Sequence, residues 1–491
     1  MEVFRKNPFK PNVIENNPTA FGLRTKEIIF SITSLLNDNS IFITGARGIG
    51  KSSLGLQLQK VLSGDNTLLK RCNMDDSYSD ALCIYYACAE ETTLEELCLD
   101  ILYELEQEIM LLPKVKFNKL KPVLELNFGI IKAKFETEIE SNKRSPSSIA
   151  NRFVNGLRAI YNEALALGVF TGINIMIDEV DQLPKKINFG HFIKIIHETL
   201  NNRGCDKLTF LFAGQLGSYT RFNKEDPSFE RIVKCVPLDR LSWEASNYIL
   251  DYASATSNPR FQIDEDAKNL VLSLSSGYPY IVHLIGDSCF NELMNSYVIT
   301  KSIVLTALEV ILLTDKREKF TEKLRELEDL ERDLIFYMAS QPVEILPAEI
   351  PYEWIYDKVT DNLEVKKQLD SLLNSLISQG YLYSIKNKAV YIFSEELFRI
   401  FVSYIKIELS ITKTARREFS DKSLDVNLIK ERTEKDEKYN EMEIAGELIN
   451  SMDANFISPE ERKQLFNEYI SSKIPSNYSN AWEEDNFKEK K

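Results

Sequence analysis

The sequence holds only three histidines, His191, His197 and His283. His191 and His197 fall six residues apart on one expected helix, a spacing that does not bring two side chains onto one face. A histidine-rich metal site is therefore not expected. The seven cysteines (72, 83, 88, 98, 205, 235 and 289) are scattered, mostly in apolar runs, and no C-x-x-C pair occurs. They read as buried thiols of a reducing cytoplasm, not as disulfides or zinc ligands. No apolar run reaches the ~18 residues that a membrane-spanning helix needs, so no membrane partner is expected. The opening Met1-Glu2-Val3-Phe4-Arg5-Lys6-Asn7-Pro8 lacks the apolar core of a secretory signal, and a cytoplasmic location is the expectation. Positive charge is short as well. A formal net charge of −14 argues against broad, charge-driven nucleic-acid binding, although it leaves room for a local basic patch.

What the sequence does have is a normal apolar share, 44%, enough to fill sizeable cores. Its 491 residues suggest about two to four domains. The most informative stretch runs from Ser40 to Leu54. Ser40-Ile41-Phe42-Ile43-Thr44 is a short, apolar, β-branched run, the mark of a buried strand in a parallel sheet. Residues from Lys51 to Leu62 then carry apolar side chains at helical spacing. Between them lies G-x-x-x-x-G-K-S, the phosphate-binding loop. Glycine lets the backbone curl so that several N–H groups aim into one nest, and the following helix adds its free N–H groups and positive dipole end. The candidate nucleotide-binding residues are Gly45, Ala46, Arg47, Gly48, Ile49, Gly50, Lys51, Ser52 and Ser53. Lys51 is expected to reach the β- and γ-phosphates, and the Ser52 hydroxyl to ligate Mg²⁺. The expected cofactors are ATP and Mg²⁺.

Buried strands are also expected over Ala81–Cys88, Thr171–Asp178, Leu208–Ala213 and Ile232–Pro237, alternating with helices over Thr92–Leu112, Ser145–Leu167 and Phe189–Leu200. This alternation gives an α/β, doubly wound parallel sheet over residues 1–240. Within it, residues 121–140 alternate apolar and polar side chains on both sides of Gly129 and read as a β-hairpin, either a plain surface element or an insertion that touches a neighbour or substrate. Residues 241–325 are patterned as helices. Residues 326–408 follow the order helix, helix and two-stranded wing, the winged-helix pattern. Residues 409–491 are charge-rich, with a weak amphipathic patch from Pro459 to Ile470, and read as an acidic, partly disordered interaction tail.

Asp178 and Glu179 end an apolar strand. Parallel strands deliver their ends to one edge, so Asp178 is expected to hold the metal and Glu179 to orient and deprotonate an attacking water. Asp181 belongs to the same acidic turn and is expected to be structural. Gln215 follows another strand. It is either a contact for the water or γ-phosphate, or a turn residue. Arg231, just before the last strand, is either an arginine finger toward a neighbour's γ-phosphate or a surface salt-bridge residue. Pro279, in Gly277-Tyr278-Pro279-Tyr280, opens a helix whose free N–H groups would face nucleotide, with His283 beyond it either on phosphate or packed.

Phe21-Gly22-Leu23-Arg24, Gly45–Ser52, Ile175–Asp181, Phe212-Ala213-Gly214-Gln215, Arg231 and Gly277-Tyr278-Pro279 occur in the order found in AAA+ ATPases. Over residues 15–405 the chain resembles the initiator branch, with origin-recognition initiators, bacterial transposition-regulator ATPases and archaeal-type ATPases. Its Gly-x-Pro element is also similar to STAND signalling ATPases. The resemblance implies a P-loop sheet, a helical lid, a winged helix, ATP and Mg²⁺, and a mobile-element or antiphage-defence setting. Two departures stand out: Tyr280 occupies the place of the usual lid arginine, and Gln215 that of the usual sensor asparagine or threonine. The expected function is an ATP-binding, slowly hydrolysing switch that assembles with itself and a partner protein. Two alternatives stay open, a DNA-binding initiator- or transposition-type ATPase and a non-hydrolysing scaffold. The expected recognition helix, Asn362–Gln379, offers only Lys366 and Lys367 beside Glu364 and Asp370, which disfavours DNA.

Overall fold

The computed structural model describes residues 6–123, 145–215, 217–293, 297–342, 345–346, 348–359, 362–385, 389–405, 459–474 and 477–478. The chain divides into two compact units at Asn12/Val13 and at Asp239/Arg240.

The unit from Val13 to Asp239 is built on five parallel strands. These are β1 (Ser40–Thr44), β2 (Ala81–Ala87), β3 (Gly172–Asp178), β4 (Leu208–Gly214) and β5 (Val233–Pro237), in the spatial order β2-β3-β4-β1-β5. Every residue of β1, β3 and β4 is buried, which is why these strands are nearly unbroken apolar runs. Helices α1 (Thr25–Leu36), α2 (Lys51–Leu62), α3 (Thr67–Arg71), α4 (Leu94–Met110), α5 (Lys114–Val123), α6 (Pro146–Ala166), α7 (Phe189–Asn201), α8 (Ser218–Glu225) and α9 (Phe229–Ile232) connect them. The starts of α4 and α6 follow from side chains: Thr93 and Glu96 close a capping box, and Ser145 accepts from the Ser148 N–H with Pro146 in the first turn.

Register fixes what meets at the carboxyl edge of the sheet. Thr44 lies beside both Gly214 and Pro237, and Asp178 beside Ala87. Ile177 pairs with Phe212, so β4 stands between the loop-bearing β1 and the acid-bearing β3. A buried amide chain ties α2 to this frame. Gln59 Nε2 donates to Ile84 O at 2.8 Å and to Asn174 Oδ1 at 3.1 Å, and Asn174 Nδ2 donates to Thr209 Oγ1 at 3.0 Å. The polar arm ahead of α1 lies on α2: Glu15 N donates to Ser53 Oγ at 3.1 Å, and Gln57 Nε2 to Glu15 O at 2.9 Å. Residues 121–123, where the hairpin was expected to begin, instead finish α5, and the rest of that hairpin lies outside the described residues.

The other unit is mostly helical. Its members α10 (Trp243–Thr256), α11 (Glu265–Ser275), α12 (Pro279–Glu292), α13 (Lys301–Val310) and α14 (Arg317–Glu326) share one apolar core, with a two-residue ladder between β6 (Gln262–Ile263) and β7 (Val298–Ile299). Phe9 is buried in that core, edge-on to His283. Next come α15 (Asp329–Ala339), β8 (Ile345–Leu346), β9 (Ile350–Pro351), α16 (Tyr352–Lys358), α17 (Leu363–Ser378), β10 (Leu382–Ile385) and β11 (Val390–Phe393). The three strands are antiparallel in the order β10-β11-β9, and α15, α16 and α17 lie beside them in the chain. The amphipathic patch near the carboxyl end is a helix, α18 (Pro459–Lys473). Its Leu465, Phe466 and Tyr469 are buried, and the Phe466 ring meets Tyr404 at 5.2 Å. After it, β12 (Asn477–Tyr478) pairs in parallel with β8. The remainder of 409–491 lies outside the described residues.

Candidate nucleotide site

The loop after β1 has the backbone that the glycine spacing demands. Gly48 and Gly50 have φ of 76° and 97°, a region closed to most side chains. Gly45 has no room for one, since a Cβ there would lie 2.9 Å from Leu238 O. Leu238 N donates to Thr44 O at 2.7 Å, so the chain leaving β5 forms one wall of the loop. Lys51 starts α2, and its Nζ donates to Gly45 O at 3.1 Å and Ala46 O at 3.0 Å. Burial pulls the Lys51 pKa down, against the opposing pull of Asp181, Asp178 and Glu179, while exposed Arg47 adds to the lowering. The two acids expected near the loop therefore act on its lysine, and so does Asp181.

Asp178 is only 2% exposed. Its Oδ1 accepts from Glu179 N at 2.8 Å and its Oδ2 from Tyr85 OH at 3.1 Å. Burial first, then Asp178, push the Tyr85 pKa up, so the phenol stays a donor to the carboxylate. Glu179 follows with φ of 52°, left-handed for a residue that has a side chain, and it is exposed. Such a conformation costs about 1–3 kcal/mol and is kept where the surrounding structure enforces it. Here it turns the chain sharply at the strand end and sets the glutamate outside the sheet.

Asp181 does more than shape a turn. Its Oδ1 accepts from Gln215 N at 2.9 Å and its Oδ2 from Gln215 Nε2, also at 2.9 Å. Thr44 Oγ1 donates to Gln215 O at 3.2 Å. Gln215 is thus clamped between the loop strand and the acidic turn, with its side-chain oxygen on the far side of the amide from Asp181. Sequence reading missed this clamp and the role of Tyr85. A second missed residue is Arg24, whose Nη2 donates to Ile49 O of the loop at 2.7 Å.

Arg231 is not brought to this edge. It is exposed on α9, which enters β5 at Val233, beside Ser40 at the opposite end of the sheet, and its Nη2 donates to Ser228 Oγ at 3.1 Å. Pro279 lies in the other unit, at the first turn of α12 after Gly277 with φ of 76°. In that unit Tyr280 OH accepts from Lys316 Nζ. His283 is packed: its Nδ1 faces Lys10 N at 3.4 Å, and burial lowers its pKa to about 4.

The residues present fit a nucleotide with a hard cation. The nest curls around space that side chains would fill, a hydroxyl from Ser52 stands at the helix start, and a buried carboxylate waits on the same sheet edge. Among the described residues no group of three or more His, Cys, Asp or Glu side chains forms a metal cage of its own. Ser52 and Asp178 are a donor set that Mg²⁺ could use, since that ion is usually held by one or two side chains together with substrate phosphates and water.

No protein-family model matches the chain, and no curated protein sequence matches it. Among solved structures it is similar to the Walker-type ATPase PABY2304 of Pyrococcus abyssi, at 15% identity over 82% of this chain and 99% of that one, TM-score 0.46. It is also similar to the ORC2 protein of Aeropyrum pernix (13% identity, 81% and 97% covered, TM-score 0.47) and to Cdc6p from Pyrobaculum aerophilum (14%, 80% and 97%, TM-score 0.40). With the strand order β2-β3-β4-β1-β5, the Gly45–Ser52 loop after β1 and Asp178 ending β3, the sheet unit has the expected α/β fold with a P-loop parallel sheet.

Proposed function

We propose that the protein is a Mg²⁺-dependent ATPase switch whose nucleotide state controls assembly with further copies of itself and with a partner protein. The observation that carries this reading is the joint placement of the Gly45–Ser52 nest, Lys51 and the buried Asp178 at one sheet edge, with Lys51 inside the field of all three acids. In this reading the backbone N–H groups and Lys51 bind the phosphates. Ser52 and Asp178 hold Mg²⁺, which when bound neutralises phosphate charge and polarises the γ-phosphoryl group. Glu179 takes the proton of the attacking water. Gln215, fixed by Asp181, orients that water or reads the γ-phosphate. Arg231 lies at the other end of the sheet from its own loop and would complete the site of a neighbouring copy, which makes hydrolysis depend on assembly. The contact of Lys366 Nζ with the Tyr356 ring, 3.9 Å from its centroid, engages one of the two lysines that DNA reading would use, and so favours a protein-contacting or structural winged helix. The test is oligomer size with and without ATP. Glu179→Gln should accumulate the assembled form with ATP, and Lys51→Ala should not form it. Identical sizes in all conditions would reject the switch.

A further inference from the structure

The loop that holds phosphate must turn its N–H groups inward, which turns carbonyls outward. One of those carbonyls has a dedicated partner. Arg24, buried at 5% exposure, donates from Nη2 to Ile49 O at 2.7 Å and from Nη1 to Asp239 O. Its backbone is fixed too, because its own carbonyl accepts from Ile28 N at 2.9 Å at the start of α1, a helix anchored by buried Ile28, Ile32 and Leu35.

We propose that Arg24 is a positioning residue for the phosphate nest: by holding the Ile49 carbonyl outward it aims the Gly50 N–H inward. The step is geometric. The Ile49–Gly50 peptide is trans, and a planar trans peptide sets C=O and N–H in opposite directions. Gly50 alone would not fix that plane, since its φ of 97° belongs to a residue with many backbone options. The second hand of the guanidinium grips the residue after Leu238, the wall against which Gly45 packs. One side chain therefore sets two sides of the same nest. Arginine suits this task because its rigid fork presents two donors at once, which a lysine cannot do.

Burying the guanidinium has a cost. It lowers the Arg24 pKa to about 10, against the opposing pull of Glu27 and Asp239, so the charged form is disfavoured by the fold. An apolar replacement removes that cost but leaves the Ile49 and Asp239 carbonyls without this donor, which costs stability where they stay dry. A residue that serves stability alone would lower the thermal midpoint and leave the affinity of the folded protein unchanged; a positioning residue would weaken binding as well.

This inference rests on reading Gly45–Ser52 as a phosphate site, and the experiment separates the two. In the full-length protein, the Kd for ATP and for ADP is measured by calorimetry in wild type, Arg24→Met and Arg24→Lys, with the thermal midpoint without nucleotide and kcat at saturating ATP. Failure of the wild type to bind either nucleotide rejects the phosphate site itself. If wild type binds, Arg24→Met should stay folded with a lowered thermal midpoint and raise both Kd values, measured below that midpoint, by about tenfold to a hundredfold, the scale of one charge-assisted hydrogen bond. Arg24→Lys should fall between. The kcat should change far less than KM, because Arg24 acts through the loop and not on the γ-phosphate. Kd values within twofold of wild type, or loss of folding in both variants, would overturn the proposal.

Discussion

In the sheet unit the buried carboxylate of Asp178 is held by a backbone N–H and a phenol, at 2.8 and 3.1 Å. In the helical unit the buried carboxylate of Glu396, fully shielded from solvent, is held by Arg399 at 2.7 Å. Burial pushes Glu396 up although Arg399 pulls it down. The two sites contain the same chemical group with opposite consequences. A carboxylate held by uncharged donors keeps its negative field for a cation, whereas one paired with a guanidinium has spent that field on its neighbour. Arg24 repeats the first pattern with the other sign, since its hydrogen-bond partners are carbonyls. Glu331, in the second unit, is also held by uncharged donors, accepting from Ser375 Oγ and Gln379 Nε2, both at 2.7 Å, and there it joins α15 to α17. Buried charge alone therefore does not mark a functional site; Asp178 differs from both Glu396 and Glu331 in joining uncharged donors with a place at the sheet edge that carries the Gly45–Ser52 loop.

Substitutions can break this comparison from either side. The largest effect is expected at Lys51: Lys51→Ala should abolish measurable ATP binding and hydrolysis while leaving the thermal midpoint near wild type, as read by calorimetry and phosphate release. Next, Glu179→Gln should slow hydrolysis by about 10²–10⁴-fold, the usual worth of a general base, with ATP affinity retained. On the scaffolding side, Arg399→Ala leaves an uncompensated buried charge and should destabilise its unit by roughly 3–5 kcal/mol in urea unfolding. The ATP Kd should stay unchanged, and a large change there would erase the distinction between the two units.

Smaller effects sharpen the picture around the strand ends. Asp181→Ala should release Gln215 and lower kcat about tenfold, the effect of misaligning a water contact without removing it. Nucleotide affinity should hold or rise, since an acid facing Lys51 is removed. The smallest effect concerns pH. Burial favours the neutral form of Asp226, but hydrogen bonds from His191 and Ser228 outweigh it and bring the pKa to about 2, below its ordinary 3.8. A depressed carboxylate stabilises the fold above its unfolded pKa, and that contribution is lost as pH falls through the folded value. Thermal midpoints of wild type and Asp226→Asn should therefore differ at neutral pH and converge between about pH 4 and 2.

The phosphate loop, the acidic strand end and the five strands were legible because each is a local matter of backbone geometry and apolar runs. The glycines of Gly45–Ser52 announce positive φ, and Ile173–Ile177 announces a doubly covered strand. The Asp181–Gln215 clamp was not legible, because its partners are 34 residues apart and meet only through the β3–β4 pairing. Arg24 stood inside a recognisable motif, yet its acceptors are backbone carbonyls, which no residue type advertises. Residues 121–123 alternate like a strand and are helical, the continuation of α5 outweighing a three-residue pattern. For α18 the periodicity was visible, but its apolar side chains find Tyr404 across a long stretch of sequence, beyond what local pattern reports.

Asp178 and the phosphate nest are expected to act on one bound metal–nucleotide pair. Calorimetric titration of ATP into wild type and Asp178→Asn, each with and without Mg²⁺, tests this most directly. Mg²⁺ should tighten ATP binding in the wild type and give little gain in Asp178→Asn, with metal-free affinities alike. Equal Mg²⁺ dependence in the two proteins, or no ATP binding by the wild type, would contradict it.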